Sequence, residues 1–194
     1  LTRKVVFLRP LGLRLEGNKM MGDLAKELDF HFIRCGKVLV GNTEEDMETL
    51  KRTMEQGKDN GATNLELIDE KRLHELVPAV VGKFAMFSHN SGIVDPFGYT
   101  IALAENAHAN GVEYHFGCEV TAIRREDDDT YEITTTKGNF KTRWVVNCAG
   151  LGCGKISDML GITGYRIIGS KGDYIILDKR TGPLLPMPVY PVPS

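Results

Sequence analysis

The run Arg143-Trp144-Val145-Val146-Asn147-Cys148-Ala149-Gly150-Leu151-Gly152-Cys153-Gly154 decides the fold of this chain. Trp144, Val145 and Val146 suit a pleated, packed strand. Gly150, Gly152 and Gly154 then leave no Cβ over a tight turn, so a ligand can approach the backbone there. A helix from about Lys155 to Leu160 is expected to follow. In open α/β sheets, ligands bind outside the carboxyl ends of the strands, which makes this strand, turn and helix the candidate binding surface. The run is not a self-sufficient dinucleotide site. In a Gly-x-Gly-x-x-Gly turn starting at Gly150, the sixth position is Lys155. Asp173 stands about twenty residues on, where a ribose-reading acid belongs. However, it sits within Gly169-Ser170-Lys171-Gly172-Asp173-Tyr174 and does not end a second parallel strand.

Upstream of this run the pattern predicts a β-hairpin. Tyr131, Ile133 and Thr135 alternate with polar residues, Lys137-Gly138 turns the chain, and Phe140, Thr142, Trp144 and Val146 alternate again. Val112–Phe116 and Cys118–Arg124 read as strands before it, with Asp127-Asp128-Asp129 as a solvated turn. Asp95-Pro96 starts a helix, Asp95 as N-cap and Pro96 at the first helical position. Phe97, Ile101, Ala104 and Ala107 form its expected buried stripe. Toward the amino end, Val5–Leu8 reads as a strand and Glu16–Asp29 as a helix striped by Met20, Met21, Leu24, Ala25 and Leu28. Phe30–Val40 reads as strands around Cys35-Gly36. Thr43-Glu44-Glu45-Asp46 is a capping box opening a helix through Met47, Leu50 and Met54, stopped by Asn60-Gly61. Leu65–Ile68 is a short strand, Asp69 caps a helix ended by Pro78, and Phe84–Ser88 is another strand. Gly164–Leu177 reads as strand-rich and the proline-dense tail from Pro183 as extended.

Composition narrows the function classes. The 194 residues are 42% hydrophobic and 26% charged, with a net charge of −2. Those values are ordinary for a globular protein, and they lack the basic footprint of a nucleic-acid binder. No apolar run approaches a membrane span. The four cysteines form no Cys-x-x-Cys pair and read as small buried thiols in a reducing cytosol, which predicts no metal site and a cytoplasmic protein. Met20, Met21, Met47 and Met54 read as core.

Several of these segments resemble one family in order and spacing. Val145-Val146-Asn147-Cys148-Ala149-Gly150 is similar to the second FAD-contacting element of the FAD-dependent oxidoreductases grouped with D-amino-acid oxidase. Gly92-Ile93-Val94-Asp95-Pro96 before a helix resembles the same family. So do Cys118-Glu119-Val120-Thr121-Ala122-Ile123, as the strand whose backbone meets the adenine, and Ser170-Lys171-Gly172-Asp173-Tyr174, as the strand near the flavin. Tyr190-Pro191-Val192-Pro193 is similar to the branch that oxidises glycerol 3-phosphate or L-2-hydroxyglutarate. Such family members begin with a Gly-x-Gly-x-x-Gly turn, which Gly12, Gly17 and Gly22 do not form. The chain therefore reads as an interior piece whose flanking segments at both ends lie elsewhere in the same protein.

The resemblance implies a mixed α/β (α+β) fold. Part would be an FAD-binding, Rossmann-like domain with a β-meander, and part an antiparallel-sheet substrate domain. Residues 1–29 would be a helical lead-in of the FAD domain and 30–90 a substrate-side segment. Residues 91–163 would be an FAD-domain segment with the meander, and 164–194 a return into the substrate-side sheet. The resemblance also implies contacts to FAD from Val120, Asn147, Ala149, Gly150, Leu151 and Gly152. The cations Arg166 and Lys171 would bind a small anionic substrate through charge-assisted hydrogen bonds. Glycerol 3-phosphate is the first substrate expected, then L-2-hydroxyglutarate, then amino acids such as glycine. His89, in a polar loop beside Asn90 and Ser91, is the histidine to consider as proton acceptor, against the plain reading of a surface residue. Asp95 is explained by its cap. Two other classes stay open, a non-enzymatic nucleotide-fold interaction module and an NAD-binding enzyme using Gly150–Gly154. The 194 residues alone are expected to be inactive.

Overall fold

A computed structural model describes residues 10–193; the strand expected at Val5–Leu8 lies outside them. The elements in chain order are α1 (Pro10–Glu27), β1 (Phe32–Ile33), β2 (Lys37–Gly41), α2 (Glu44–Asp59), β3 (Leu65–Asp69), α3 (Glu70–Leu76), β4 (Phe84–Ser88), β5 (Ile93–Val94) and α4 (Pro96–Ala109). They continue with β6 (Val120–Arg125), β7 (Tyr131–Thr135), β8 (Gly138–Thr142), α5 (Cys153–Asp158) and β9 (Val189–Pro191), with 3₁₀ turns at Gly150–Gly152 and Lys179–Leu184.

Two compact units result. One runs to Val112 and resumes at Ile176; the other is Glu113–Ile175. These limits differ from the segment boundaries expected at 29, 90 and 163. The 91–112 stretch stays with the first unit because β5 pairs antiparallel with β1 and the Tyr99 ring of α4 packs tilted against Phe30, centroids 4.8 Å apart.

The first unit is built on a four-stranded sheet in the order β3-β4-β2-β9, antiparallel except where β9 runs parallel to β2. Side chains alternate across a pleated sheet, and each face here finds its own cover. Val38, Ile68, Ala85 and Phe87 point to one side, against Leu73 of α3 and Val77 just beyond it. Leu39 and Met86 point to the other, against Leu50 and Met54 of α2. Both helices start on the caps legible in the sequence. Thr43 Oγ1 accepts the Asp46 N–H at 3.1 Å while the Asp46 carboxylate accepts the Thr43 N–H at 2.9 Å. Amides of Asn42 and Thr43 hold the Asp46 carboxyl below the usual carboxylate range. Asp69 caps α3 through the Arg72 N–H at 2.8 Å, and Asp95 caps α4 through the Phe97 N–H at 3.0 Å.

The second unit carries the meander β6-β7-β8, a three-stranded antiparallel sheet, followed by the glycine turn and α5. Here several expectations are corrected. Trp144 and Val146 are 83% exposed, and residues 143–149 form no ladder among the described residues. Residues 112–116 and 164–177 likewise carry no strand, with Tyr174, Ile175 and Ile176 about nine-tenths exposed. The apolar pattern is that of strands, but a ladder needs a hydrogen-bonding partner, and no described strand pairs with these segments. The α4 stripe is corrected in part: Phe97 and Ile101 are 77% and 56% exposed, while Ala104 and Ala107 are half-buried as expected, with Gly98, Tyr99 and Ala102. Met20 is exposed on α1, whereas Met54 packs as expected. The tail returns to the first unit's sheet through β9, and its preceding residues form a 3₁₀ turn.

Candidate cofactor site

The second unit holds an open cleft of about 390 Å³, lined by Val120, Ile123, Ile133 and Thr142 of the meander together with Trp144 to Ala149 and Ile156. Its size lies within the range of small-molecule and cofactor pockets. A local irregularity shapes it. Val120 pairs with Thr135 and Ala122 with Thr134, so Thr121 is an extra residue in β6, a β-bulge. Residues three apart on a regular strand face opposite ways, yet Val120 and Ile123 both line this cleft. The bulge corrects the parity and re-aims Val120. The Thr121 hydroxyl steadies it by donating to the Thr134 carbonyl at 3.2 Å.

At the Ala149 end of this lining the chain turns through Ala149–Gly152. Gly150 has φ +55°, a conformation that strains other residues, and a Cβ built on Gly150 or Gly154 would meet nothing within 4 Å. The Gly152 N–H donates to the Ala149 carbonyl at 2.9 Å, the first bond of the 3₁₀ turn. The N–H groups of Gly150 and Leu151 precede the turn's first donor, Gly152, and have no partner within the turn. None of the cleft-lining side chains is charged. The surface offers apolar contact, uncovered glycine backbone and free amides, which suits one flank of a flat nucleotide cofactor such as FAD. The Gly-x-Gly-x-x-Gly anion cradle is not in this chain.

The structure therefore brings three expected site residues, Val120, Asn147 and Ala149, to one cleft, with Gly150, Leu151 and Gly152 following directly in the turn. Arg166 and Lys171 lie in the same unit but do not line it; Lys171 pairs with Asp173 at 2.9 Å, both 85% exposed. His89 belongs to the first unit, where its Nε2 lies 2.9 Å from Glu66 Oε2 and its ring packs on Phe87. Its neighbour Asn90 is tied down by the Arg34 guanidinium, which donates to its carbonyl at 2.7 Å. Two contributors escaped the sequence reading, the Thr121 bulge and the buried hydroxyl of Ser157 behind the turn. A serine beside Ile156 near the end of α5 was the only sign of the second.

With this geometry in view, the similarities are specific. The model of the family "FAD dependent oxidoreductase" (DAO) matches residues 7–194. The chain belongs to that family of FAD-dependent oxidoreductases. It is 36% identical over 184 residues to a glycerol 3-phosphate dehydrogenase of Caloramator mitchellensis, covering 94% of this chain and 38% of that protein. It is 28% identical over 196 residues to a mitochondrial L-2-hydroxyglutarate dehydrogenase of Nematostella vectensis, covering 94% of this chain and 43% of that one. The chain thus spans about two fifths of the length of these relatives. Among solved structures, L-proline dehydrogenase from P. horikoshii superposes with a TM-score of 0.70 at 26% identity, over 76% of this chain and 40% of that one. An L-α-glycerophosphate oxidase from Mycoplasma pneumoniae with FAD bound shares the fold at TM-score 0.68 and 21% identity, over 77% of this chain and 41% of that one. The mixed helix-and-sheet fold and the FAD family expected from the sequence are both borne out. No helix among the described residues is long and apolar enough to cross a membrane.

Proposed function

We propose that the protein carrying this chain is a flavin-dependent dehydrogenase that oxidises a small anionic hydroxy substrate, glycerol 3-phosphate first among candidates. The observation that carries this reading is the cleft joining Val120 to the Asn147–Ala149 wall, beside a bare glycine turn, in a chain of the FAD-dependent family. Val120, Asn147, Ala149, Gly150, Leu151 and Gly152 would hold one flank of FAD by shape and backbone amides. Bound there, the flavin would supply the redox chemistry, accepting hydride from the carbon that bears the substrate hydroxyl. The protein's part is to orient substrate, exclude water and take the hydroxyl proton. Arg166 and Lys171 are the cations proposed for the substrate anion. The proton acceptor is unassigned, with His89 the first histidine to test. The four cysteines are free, Cys148 exposed and the other three half-buried rather than buried as expected; a reducing, cytoplasmic setting is the reading proposed for them.

Glycerol 3-phosphate is favoured by the 36% identity to a dehydrogenase named for it. L-2-hydroxyglutarate is the second reading, supported by the 28% identity over 94% of this chain. The test is purification of the full-length protein, a flavin absorption spectrum, and dye reduction with glycerol 3-phosphate, L-2-hydroxyglutarate and glycine in parallel. Yellow protein that reduces dye fastest with glycerol 3-phosphate is the expected result. Colourless protein that cannot be reconstituted with FAD would overturn the flavin reading; preference for another of the three substrates would overturn only the substrate.

A further inference from the structure

Behind the glycine turn lies a small hydrogen-bond cluster. Ser157 is the buried polar side chain of the described residues, 7% exposed. A buried hydroxyl is costly unless it is bonded. Its oxygen accepts from Asn147 Nδ2 at 3.2 Å and shares a short hydrogen bond with the Tyr165 hydroxyl. The second hydrogen of Asn147 Nδ2 goes to the Cys153 carbonyl at 2.9 Å, and Asn147 Oδ1 accepts the Ala149 N–H at 3.3 Å. Tyr165 also reaches the Cys153 carbonyl at 3.5 Å. One side-chain amide therefore spans the turn, bonded to backbone on its near side at Ala149 and on its far side at Cys153.

The chain is folded back to make this possible. After α5, Gly161 takes φ +66° and donates to the Asp158 carbonyl at 2.9 Å, while the Ile162 N–H returns to the Ser157 carbonyl at 3.1 Å. That reversal delivers Tyr165 to Ser157. The arrangement matters because a glycine turn has wide conformational freedom, and residues 143–149 form no described ladder to restrain it. An alanine at 157 would satisfy the packing alone; the hydroxyl adds a link from the amide that spans the turn to Tyr165.

We propose that Ser157 and Tyr165 are positioning residues that act through the Asn147 amide to fix Ala149–Gly152 in the shape that receives the cofactor. Neither touches the cofactor; both set the conformation of the backbone that does. This rests on the reading of the turn as an FAD contact.

The test titrates FAD into apoprotein of the full-length enzyme, with flavin fluorescence giving affinity and thermal unfolding giving apoprotein stability. Ser157→Ala should weaken FAD binding about tenfold, about 1.4 kcal/mol, and Tyr165→Phe about threefold, with the apoprotein Tm within about 2 °C of wild type. Ser157→Thr, which keeps the hydroxyl, should return affinity to within about threefold of wild type. Gly150→Val is the control for the turn itself, because its side chain is strained at φ +55°. If Gly150→Val binds FAD like wild type, the turn is not a cofactor contact and the proposal falls with that reading. If Gly150→Val weakens binding while Ser157→Ala and Tyr165→Phe do not, the positioning role alone is overturned. Equal loss in Ser157→Ala and Ser157→Thr with a lowered apoprotein Tm would mark a packing role and overturn it as well. Should Ser157→Ala fail to fold, wild-type affinity in Tyr165→Phe is enough to reject the cluster.

Discussion

The Lys141 ammonium donates to the Asp128 carboxylate at 2.8 Å, tying the β6–β7 turn to the neighbouring strand β8. Asp128 also accepts from the hydroxyl and the N–H of Thr130. Lys141, then Thr130, draw the Asp128 carboxyl down from 3.8 to about 2. The pair is solvent-exposed, and screening limits its contribution.

A group whose pKa is depressed on folding adds stability that is present above its unfolded value and is lost as pH falls toward its folded value. Acid unfolding of the protein should therefore steepen between about pH 4 and pH 2, and Asp128→Asn should flatten that part of the profile. Stability of the two proteins measured across this range is the check; parallel profiles would show that the turn does not contribute.

Leu50 is fully buried between α2 and the sheet, beside Leu39 and Met86. Leu50→Ala should lower stability by about 2–5 kcal/mol, the usual cost of lost burial plus a cavity. Denaturant unfolding of the full-length protein, followed at a probe in the first unit, reads the loss. A change under about 1 kcal/mol would mean that the site collapses to fill the space.

His89 already has an occupation, bonded to Glu66 and packed on Phe87. His89→Asn is expected to leave turnover within about threefold, since loss of a general base costs about 10²–10⁴. Steady-state kinetics with the preferred substrate decides. A fall in kcat of about a hundredfold with KM kept would instead make His89 the proton acceptor.

How much of this was legible depended on whether the governing interaction is local. The Thr43–Asp46 capping box, the Asp69 and Asp95 caps and the hairpin at Lys137-Gly138 are set by residues a few positions apart, and all form. The exposed Trp144, Val146 and Ile175 were misread because alternation marks a capacity to pair, while pairing depends on a second strand that periodicity does not identify. The site divides in the same way. Val120, Asn147 and Ala149 were singled out from family-like segments, and one cleft is lined by all three. The extra residue at Thr121 was invisible because a bulge is a relation between two strands. Ser157 and Tyr165 meet only because Gly161 reverses the chain between them. The limit of the first unit at Val112 follows from β5 finding its partner in β1, far back in the sequence, a relation that local patterns do not carry.

One feature of the topology bears on how the molecule is made. Strand β9 completes the four-stranded sheet by pairing with β2, Leu39 opposite Tyr190, and the whole second unit is encoded between them. A ribosome emits β2 long before its neighbour exists, so the Val38–Val40 edge must wait, open to other nascent strands. Glu113–Ile175 can meanwhile assemble from contacts close in sequence. Biogenesis should accordingly be vulnerable in that interval, and arrested chains ending before Val189 are the species on which a chaperone would act.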